Sequence, residues 1–201
     1  MLFERAPVTL ALAGACALGT IAGEAAAPAL AWERGAILHG EIWRLWSGHL
    51  VHYSLAHGAA DVLALCAGGL LAEPIVGSRR FAATLAGGAA LLSLGLLVCA
   101  PSMTEYRGAS GLAMLVAVLA GVLVWRRQPG ARWLVGAVAL ALVAKLLGDA
   151  GGHALTLAGL PAGVAVSWQA HALGGLLGGY AAATLRYPEP ESNRRAADTA
   201  S

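Results

Sequence analysis

The stretch that decides the fold runs from residue 164 to residue 185 and is VAVSWQAHALGGLLGGYAAATL. It contains no Asp, Glu, Lys or Arg, and one histidine, His171. A helix needs about 20 mainly apolar residues to cross the hydrocarbon core of a bilayer. The stretch is therefore predicted to be a membrane-spanning helix that carries one imidazole.

Five further apolar blocks of similar length precede this stretch, and all are rich in glycine and alanine, which let membrane helices approach closely. Only 12% of the 201 residues are charged, whereas a soluble domain carries about 25%. The sequence therefore predicts an all-α, polytopic membrane protein, a six-transmembrane-helix bundle. The predicted organisation is a single membrane domain over 1–186, with spans at 8–30, 52–72, 81–100, 109–125, 133–150 and 164–185, and a disordered cytoplasmic tail over 187–201.

The first block, residues 8–30, has an alternative interpretation as a secretory signal peptide. Residues 25–27 are alanines and resemble the small-residue cleavage region of such peptides. Against this, Glu4 and Arg5 cancel each other's charge, and the block is longer than the usual apolar region of a signal peptide. The pattern favours a membrane span.

The distribution of basic residues predicts the orientation of the bundle. With six spans both termini lie on one side, and nine of the 13 Lys and Arg residues fall on that side against three on the other. The remaining one, Lys145, lies within a span. Because cytoplasmic loops are enriched in Lys and Arg, both termini are predicted to be cytoplasmic. The net charge of +2 is too small to indicate a nucleic-acid partner.

Ionisable side chains within the spans indicate a site, because such groups are costly in lipid and usually face a protein or water-filled interior. His171, Gly174 and Gly178 share one helical face, so another helix can approach the imidazole closely. A packing groove with one hydrogen-bonded histidine is the alternative. Lys145 and Asp149, at i and i+4, are predicted to form an ion pair. The full set is His52, His57, Asp61, Lys145, Asp149 and His171.

The fourth span opens with YRGASG, residues 106–111, in which Gly108 and Gly111 leave space around Ser110. Glycine also permits backbone angles that direct N–H groups toward a substrate oxygen. The nucleophile elbow of soluble hydrolases needs a strand before the turn, and no strand pattern precedes Gly108. His171 is the candidate general base for Ser110. No acidic third member is required, so we predict a dyad.

Four separated motifs, between about residues 41 and 182, resemble the rhomboid family of intramembrane serine proteases. The resemblance implies a six-helix rhomboid-like bundle that hydrolyses peptide bonds within the membrane. The motifs are Trp43-Arg44, His52-x-x-x-x-His57-x-x-x-Asp61, Gly108-Ala109-Ser110-Gly111 and Ala170-His171-x-x-Gly174-x-x-x-Gly178.

The resemblance implies a role for each matched residue. Ser110 would be the nucleophile and its backbone N–H an oxyanion donor, and His171 would be the base. His57 would help to hold the oxyanion, and His52 would support the same region. Trp43 and the arginine that follows it would have a structural role in the first outer loop. No cofactor and no metal are implied.

Two residues depart from the family pattern. Asp61 stands where the family usually has asparagine, and an ionised carboxylate has no proton to donate to an oxyanion. We therefore expect Asp61 to orient His57 at i+4 spacing; protonation of Asp61 is the alternative. Met114 stands where many relatives have an aromatic residue that stacks on the base, and it offers only a softer sulfur contact.

Residues 41–52, EIWRLWSGHLVH, and the lack of an added domain resemble the rhombosortase branch most closely. That branch is implied to process exported proteins with C-terminal Gly-Gly-type sorting tails. The implied setting is a bacterial inner membrane, with the active site toward the periplasm. The lipid bilayer and membrane proteins with a transmembrane segment are the expected partners. General rhomboid cleavage of single-span proteins is the alternative.

Three functions of other classes stay open. His49 with the second-span histidines and Asp61 could form a zinc site, although no HExxH pattern occurs. A non-catalytic relative could bind and guide membrane clients, but it would be expected to lack the serine or histidine. A proton-coupled transporter could use Lys145, Asp149 and His171, but it would favour inverted repeats, and none is evident.

Overall fold

The computed structural model describes residues 5–153, 160 and 166–187, and it has six long helices. These are α1 (Pro7–Leu30), α4 (Leu55–Val76), α5 (Ser78–Cys99), α6 (Ser110–Arg127), α7 (Arg132–Ala150) and α8 (Trp168–Thr184). Two short helices, α2 (Arg34–Leu38) and α3 (Arg44–Ser47), and two strands, β1 (Trp32–Glu33) and β2 (Glu105–Tyr106), lie in the connections.

The helices have the length and composition of membrane spans. Five of the six are long and apolar enough to cross a membrane, and the sixth, α8, has 17 residues, at the lower end of the spanning range. The predicted all-α, polytopic bundle is confirmed.

Helix ends differ from the predicted spans by up to four residues, for local reasons. The second span was predicted over 52–72, whereas α4 begins after Ser54, whose hydroxyl accepts the His57 N–H at 3.1 Å. It continues to Gly77, whose φ of +87° ends it. The start predicted for the last span, residues 164–165, and the tail from 188 onward lie outside the described residues.

Helix α6 occupies the centre of the bundle, packed between α4 and α8. Its inward side chains Leu115, Leu119 and Leu123 are fully buried, and they join Leu65 of α4 and Ala181 of α8 in one apolar cluster. This arrangement fixes Ser110, at the first turn of α6, against residues of both neighbouring helices.

A two-residue antiparallel ribbon corrects the expectation that no strand precedes Gly108. Trp32 pairs with Tyr106, and Glu33 pairs with Glu105. Two residues are too few to produce an alternating pattern in the sequence, so this strand left no periodic signal. The pairing ties the segment after α1 to the segment that leads into Ser110.

The loop between α1 and α4 is held by its Trp-Arg pair. The guanidinium of Arg44 donates to the Ala31 carbonyl at 2.7 Å and the Pro28 carbonyl at 2.8 Å, and it pairs with Glu41 at 2.7 Å. The Trp43 indole N–H donates to the Ala29 carbonyl at 3.2 Å. Both side chains therefore fasten this loop to the end of α1.

Candidate active site

Ser110 is the first residue of α6. The first N–H groups of a helix have no partner within it, so those of Ser110 and Gly111 are free of the α6 ladder. The preceding Gly108 has a φ of +133°, a conformation that L side chains rarely adopt. The glycine thus permits the turn that presents Ser110 at the helix start.

The loop before Ser110 passes very close to α4. A Cβ built on Gly108 would lie 2.9 Å from Cε1 of His57 and 3.1 Å from Oδ2 of Asp61. The Gly108 N–H donates to the Gly48 carbonyl at 3.1 Å, and the Ala109 N–H donates to Nε2 of His52 at 3.3 Å. The outer loop and α4 therefore hold the serine turn from two sides.

His171 lies in the first turn of α8, where the two helices α6 and α8 meet through glycines. A Cβ on Gly174 would collide with the carbonyl oxygen of Gly111, and one on Gly178 would collide with that of Leu115. The glycine face predicted from the sequence is thus the surface on which α8 approaches α6. This close approach brings His171 to the start of α6.

A cavity of about 350 Å³ lies at the junction of these elements. Ser110, His171, His57 and Asp61 all line it, and Met114 contributes to its wall. The remaining lining residues are Tyr53, Ala60, Ala64, Met103, Glu105, Tyr106, Arg107, Ala113, Ala117, Leu142, Lys145, Leu160, Val166 and Ser167. Residues far apart in the sequence therefore face one cavity, which is suited to a reaction between them.

His171 has an acidic partner that the sequence analysis did not assign to it. Its Nδ1 lies 2.9 Å from Oδ2 of Asp149, and both side chains are buried. The expected ion pair also forms, because Nζ of Lys145 lies 2.8 Å from the same oxygen. The i, i+4 spacing predicted the second contact, but the first joins two helices and leaves no sequence spacing to detect.

Asp61 lies between two histidines. Its Oδ2 is 3.4 Å from Nε2 of His57 and 3.3 Å from Nε2 of His52, without hydrogen-bond geometry in either case. The proximity to His57 agrees with the expected i+4 relation, whereas the approach to His52 was not anticipated. His52 is itself held by Thr20, whose Oγ1 lies 2.8 Å from Nδ1.

His49 does not line the cavity. Its Nε2 lies 3.1 Å from Oγ of Ser93, and its Nδ1 lies 3.3 Å from the Gly108 carbonyl. Burial lowers the pKa of His49 below its ordinary value. The described residues contain no group of three or more His, Cys, Asp or Glu side chains arranged to hold a metal ion.

Two tyrosines of the outer segments were missed by the sequence analysis. Tyr53 stacks on His57 with ring centroids 6.0 Å apart and an interplanar angle of 8°, and burial raises its pKa to about 12. The hydroxyl of Tyr106 is buried beside Ser110, and burial raises its pKa as well. The sequence signal for both was proximity to the predicted site residues, since Tyr53 lies four positions before His57 and Tyr106 lies four positions before Ser110.

Arg107 links the serine turn to the end of α1. Its guanidinium pairs with Glu24 at 2.6 Å and with Glu105 at 2.8 Å, and it lies over the ring of Tyr53, 4.9 Å from the centroid. These carboxylates raise the pKa of Arg107 against the opposing effect of burial. Glu24, to which the sequence gave no role, is thus a partner of the site's outer wall.

Comparison with known families identifies the architecture. The family profile described as Rhomboid domain matches residues 39–189, which is well over half of the chain and includes Ser110 and His171. No curated protein matches the chain. The chain therefore belongs to the rhomboid family, whose members are in general intramembrane serine proteases.

Proposed function

We propose that this protein is an intramembrane serine endopeptidase in which Ser110 is the nucleophile and His171 the general base. The observation that carries the proposal is the shared cavity: both side chains line it, together with His57 and Asp61. Membership of the rhomboid family gives this cavity a reaction class, peptide-bond hydrolysis.

The proposed chemistry follows from the groups at the cavity. Oγ of Ser110 attacks the substrate carbonyl while Nε2 of His171 accepts the hydroxyl proton, which is later given to the leaving amine. Because Nδ1 of His171 is engaged with Asp149, Nε2 is the ring nitrogen left for this transfer. The backbone N–H of Ser110, which has no partner within the α6 ladder, is suited to hold the oxyanion.

His57 and Asp61 support the oxyanion in this proposal. His57 is close enough to the Gly108 turn to contact a substrate oxygen bound beside Ser110. Asp61, within 3.4 Å of His57, orients the imidazole and donates nothing itself. His52 acts further back, because it accepts the Ala109 N–H and so holds the serine turn.

The proposed substrates are exported membrane proteins with a C-terminal Gly-Gly-type tail, as in the rhombosortase branch. This part rests on the resemblance of residues 41–52 to that branch, and the proposed location is a bacterial inner membrane. The excess of basic residues on one side supports cytoplasmic termini and a periplasmic active site.

The test is co-expression with a membrane protein that carries a Gly-Gly-type tail, followed by immunoblotting for tail removal. Wild type is expected to cleave, and Ser110→Ala and His171→Ala are each expected to reduce cleavage by roughly 1,000-fold or more. Ser102→Ala is the matched control, since it removes an exposed hydroxyl that does not line the cavity.

Each outcome has a distinct meaning. Cleavage that survives Ser110→Ala would overturn the nucleophile assignment. If wild type does not cleave the tailed protein but cleaves a generic single-span rhomboid substrate, the proposed mechanism stands and the assignment to the rhombosortase branch is wrong. A wild type that cuts neither but co-purifies with membrane proteins is a non-catalytic client-binding relative.

A further inference from the structure

Asp149 is the one buried residue of α7, a helix that the structure describes in full. Its side chain is 1% exposed, although it is a carboxyl group in an apolar span. A buried charge within a membrane span is costly and needs partners. The burial of this carboxylate therefore requires a specific explanation.

The ion pair with Lys145 does not supply that explanation. Lys145 lies on the same helix, and its side chain is 39% exposed. An i, i+4 pair can form on any face of a helix, so it does not require Asp149 to turn toward α8. The contact that does require this direction is the one between Oδ2 of Asp149 and Nδ1 of His171, at 2.9 Å.

This contact selects a tautomer of His171. An ionised carboxylate only accepts hydrogen bonds, so Nδ1 of His171 must carry the proton that it shares with Asp149. In the neutral ring Nε2 then holds the lone pair. A general base needs that tautomer, because the proton of Ser110 must move to an unprotonated nitrogen.

The same carboxylate balances the charge that develops on the base. When Nε2 of His171 accepts the proton from Oγ of Ser110, the ring becomes an imidazolium with its Nδ1–H directed at Asp149. An adjacent carboxylate stabilises this cation while the proton on Nδ1 stays in place. Lys145 offsets the charge of Asp149 before the transfer.

We infer that Asp149 is a positioning residue for His171, so that the site works as a triad of Ser110, His171 and Asp149. This replaces the dyad expected from the sequence. The inference rests on the proposed function, because it assigns to Asp149 an effect on the base of that reaction.

The kinetic test compares three variants in purified, detergent-solubilised protein. Asp149→Asn keeps the shape of the side chain, but its amide can donate to Nδ1 and favour the tautomer that cannot accept a proton. We expect kcat to fall by roughly 100-fold or more, with KM within about twofold of wild type. Lys145→Gln removes the ion pair but leaves the His171 contact, and we expect a fall of less than about tenfold.

Asp149→Glu separates charge from packing. It retains a carboxylate but adds a methylene, so an effect through charge ranks Glu above Asn in kcat. A role in packing alone ranks them in the opposite order, because Asn conserves volume. An Asn variant as active as the Glu variant, or as wild type, overturns the inference, as does a Glu variant that folds but is inactive.

A spectroscopic test does not depend on proteolysis. In ¹⁵N-histidine-labelled Ser110→Ala protein, the His171 signal is assigned by its absence from a His171→Ala sample. We expect the neutral ring to be protonated at Nδ1, and to be protonated at Nε2 once Asp149→Asn is added. The same tautomer in both samples overturns the inference. Failure of wild type to cleave any substrate counts against the proposed function, whereas the tautomer still decides the role of Asp149.

Discussion

Helices α7 and α8 follow one another in the chain and both contact α6, yet they are attached to the bundle in different ways. Helix α8 presents Gly174 and Gly178 to the backbone of α6, so closely that a Cβ on either would collide with a carbonyl oxygen. Helix α7 has a single buried residue, Asp149. Helix α8 is thus held by close packing against α6, and helix α7 by the buried polar contact of Asp149.

The difference reflects the bilayer as solvent. Apolar side chains gain little by leaving lipid, so a membrane helix can expose most of its surface and still be stable. Leu140, for example, is 71% exposed. Specific association then comes from close backbone approach or from polar groups that find partners inside the protein. The two helices that carry His171 and its acidic partner each use one of these means.

Gly174→Ala is expected to have the largest effect, because it breaks the close packing of α8. The added methyl group meets the Gly111 carbonyl, and backbone cannot move aside as a side chain can. We expect a loss of about 3 kcal/mol or more in the free energy of unfolding, together with loss of the position of His171. Unfolding in mixed micelles with a denaturing detergent measures it.

Gly179→Ala is the matched control for this substitution. Gly179 lies on the same helix, and a Cβ there meets nothing within 4 Å. We expect this variant to be as stable as wild type or slightly more stable, because alanine is the better helix former. Equal losses for both variants would show that close approach to α6 does not hold α8.

Glu73→Gln tests whether a buried polar contact also holds an outer helix elsewhere. The Glu73 carboxylate, on α4, accepts the N–H groups of Val8 and Thr9 at 3.0 and 2.8 Å and the Thr9 hydroxyl at 2.7 Å. Glutamine keeps the volume of the side chain, but it accepts weaker hydrogen bonds than a carboxylate. Its amide NH₂ would also face the N–H and O–H groups of Val8 and Thr9, which are donors themselves. We expect a loss of about 2 kcal/mol in the free energy of unfolding.

Glu24→Gln is the control for charge removal alone. Glu24 also accepts a hydrogen bond across the bundle, from Arg107, but its side chain is 78% exposed. Loss of the negative charge of Glu24 is expected to lower the free energy of unfolding by less than about 1 kcal/mol. If Glu73→Gln and Glu24→Gln lower the free energy of unfolding equally, the buried Glu73 carboxylate is not what holds α1 against α4.

The sequence predicted most of the fold because a membrane span is a local property of composition. Glycine spacing likewise predicted the face of α8 that meets α6, since residues 174 and 178 are one turn apart. The ionisable pair indicated that one face of α7 lies toward the protein interior, but the spacing of Lys145 and Asp149 did not indicate which residue of α8 they meet. The contact between Asp149 and His171 joins residues of two helices, 22 positions apart in the chain, so no sequence spacing revealed it and the sequence indicated a dyad.

The smallest effect is expected on the outer surface of α7, and it tests the comparison most directly. Leu140→Ala removes a side chain that is mostly exposed, so we expect a change within about 0.5 kcal/mol in the free energy of unfolding. Leu119→Ala, at a fully buried position of α6, is expected to cost about 2–5 kcal/mol. The same measurement in mixed micelles gives both values. A loss at Leu140 comparable to that at Leu119 would mean that the apolar surface of α7 is covered in the native protein. Asp149 would then no longer be the main attachment of this helix, because packing against a further element would share that role.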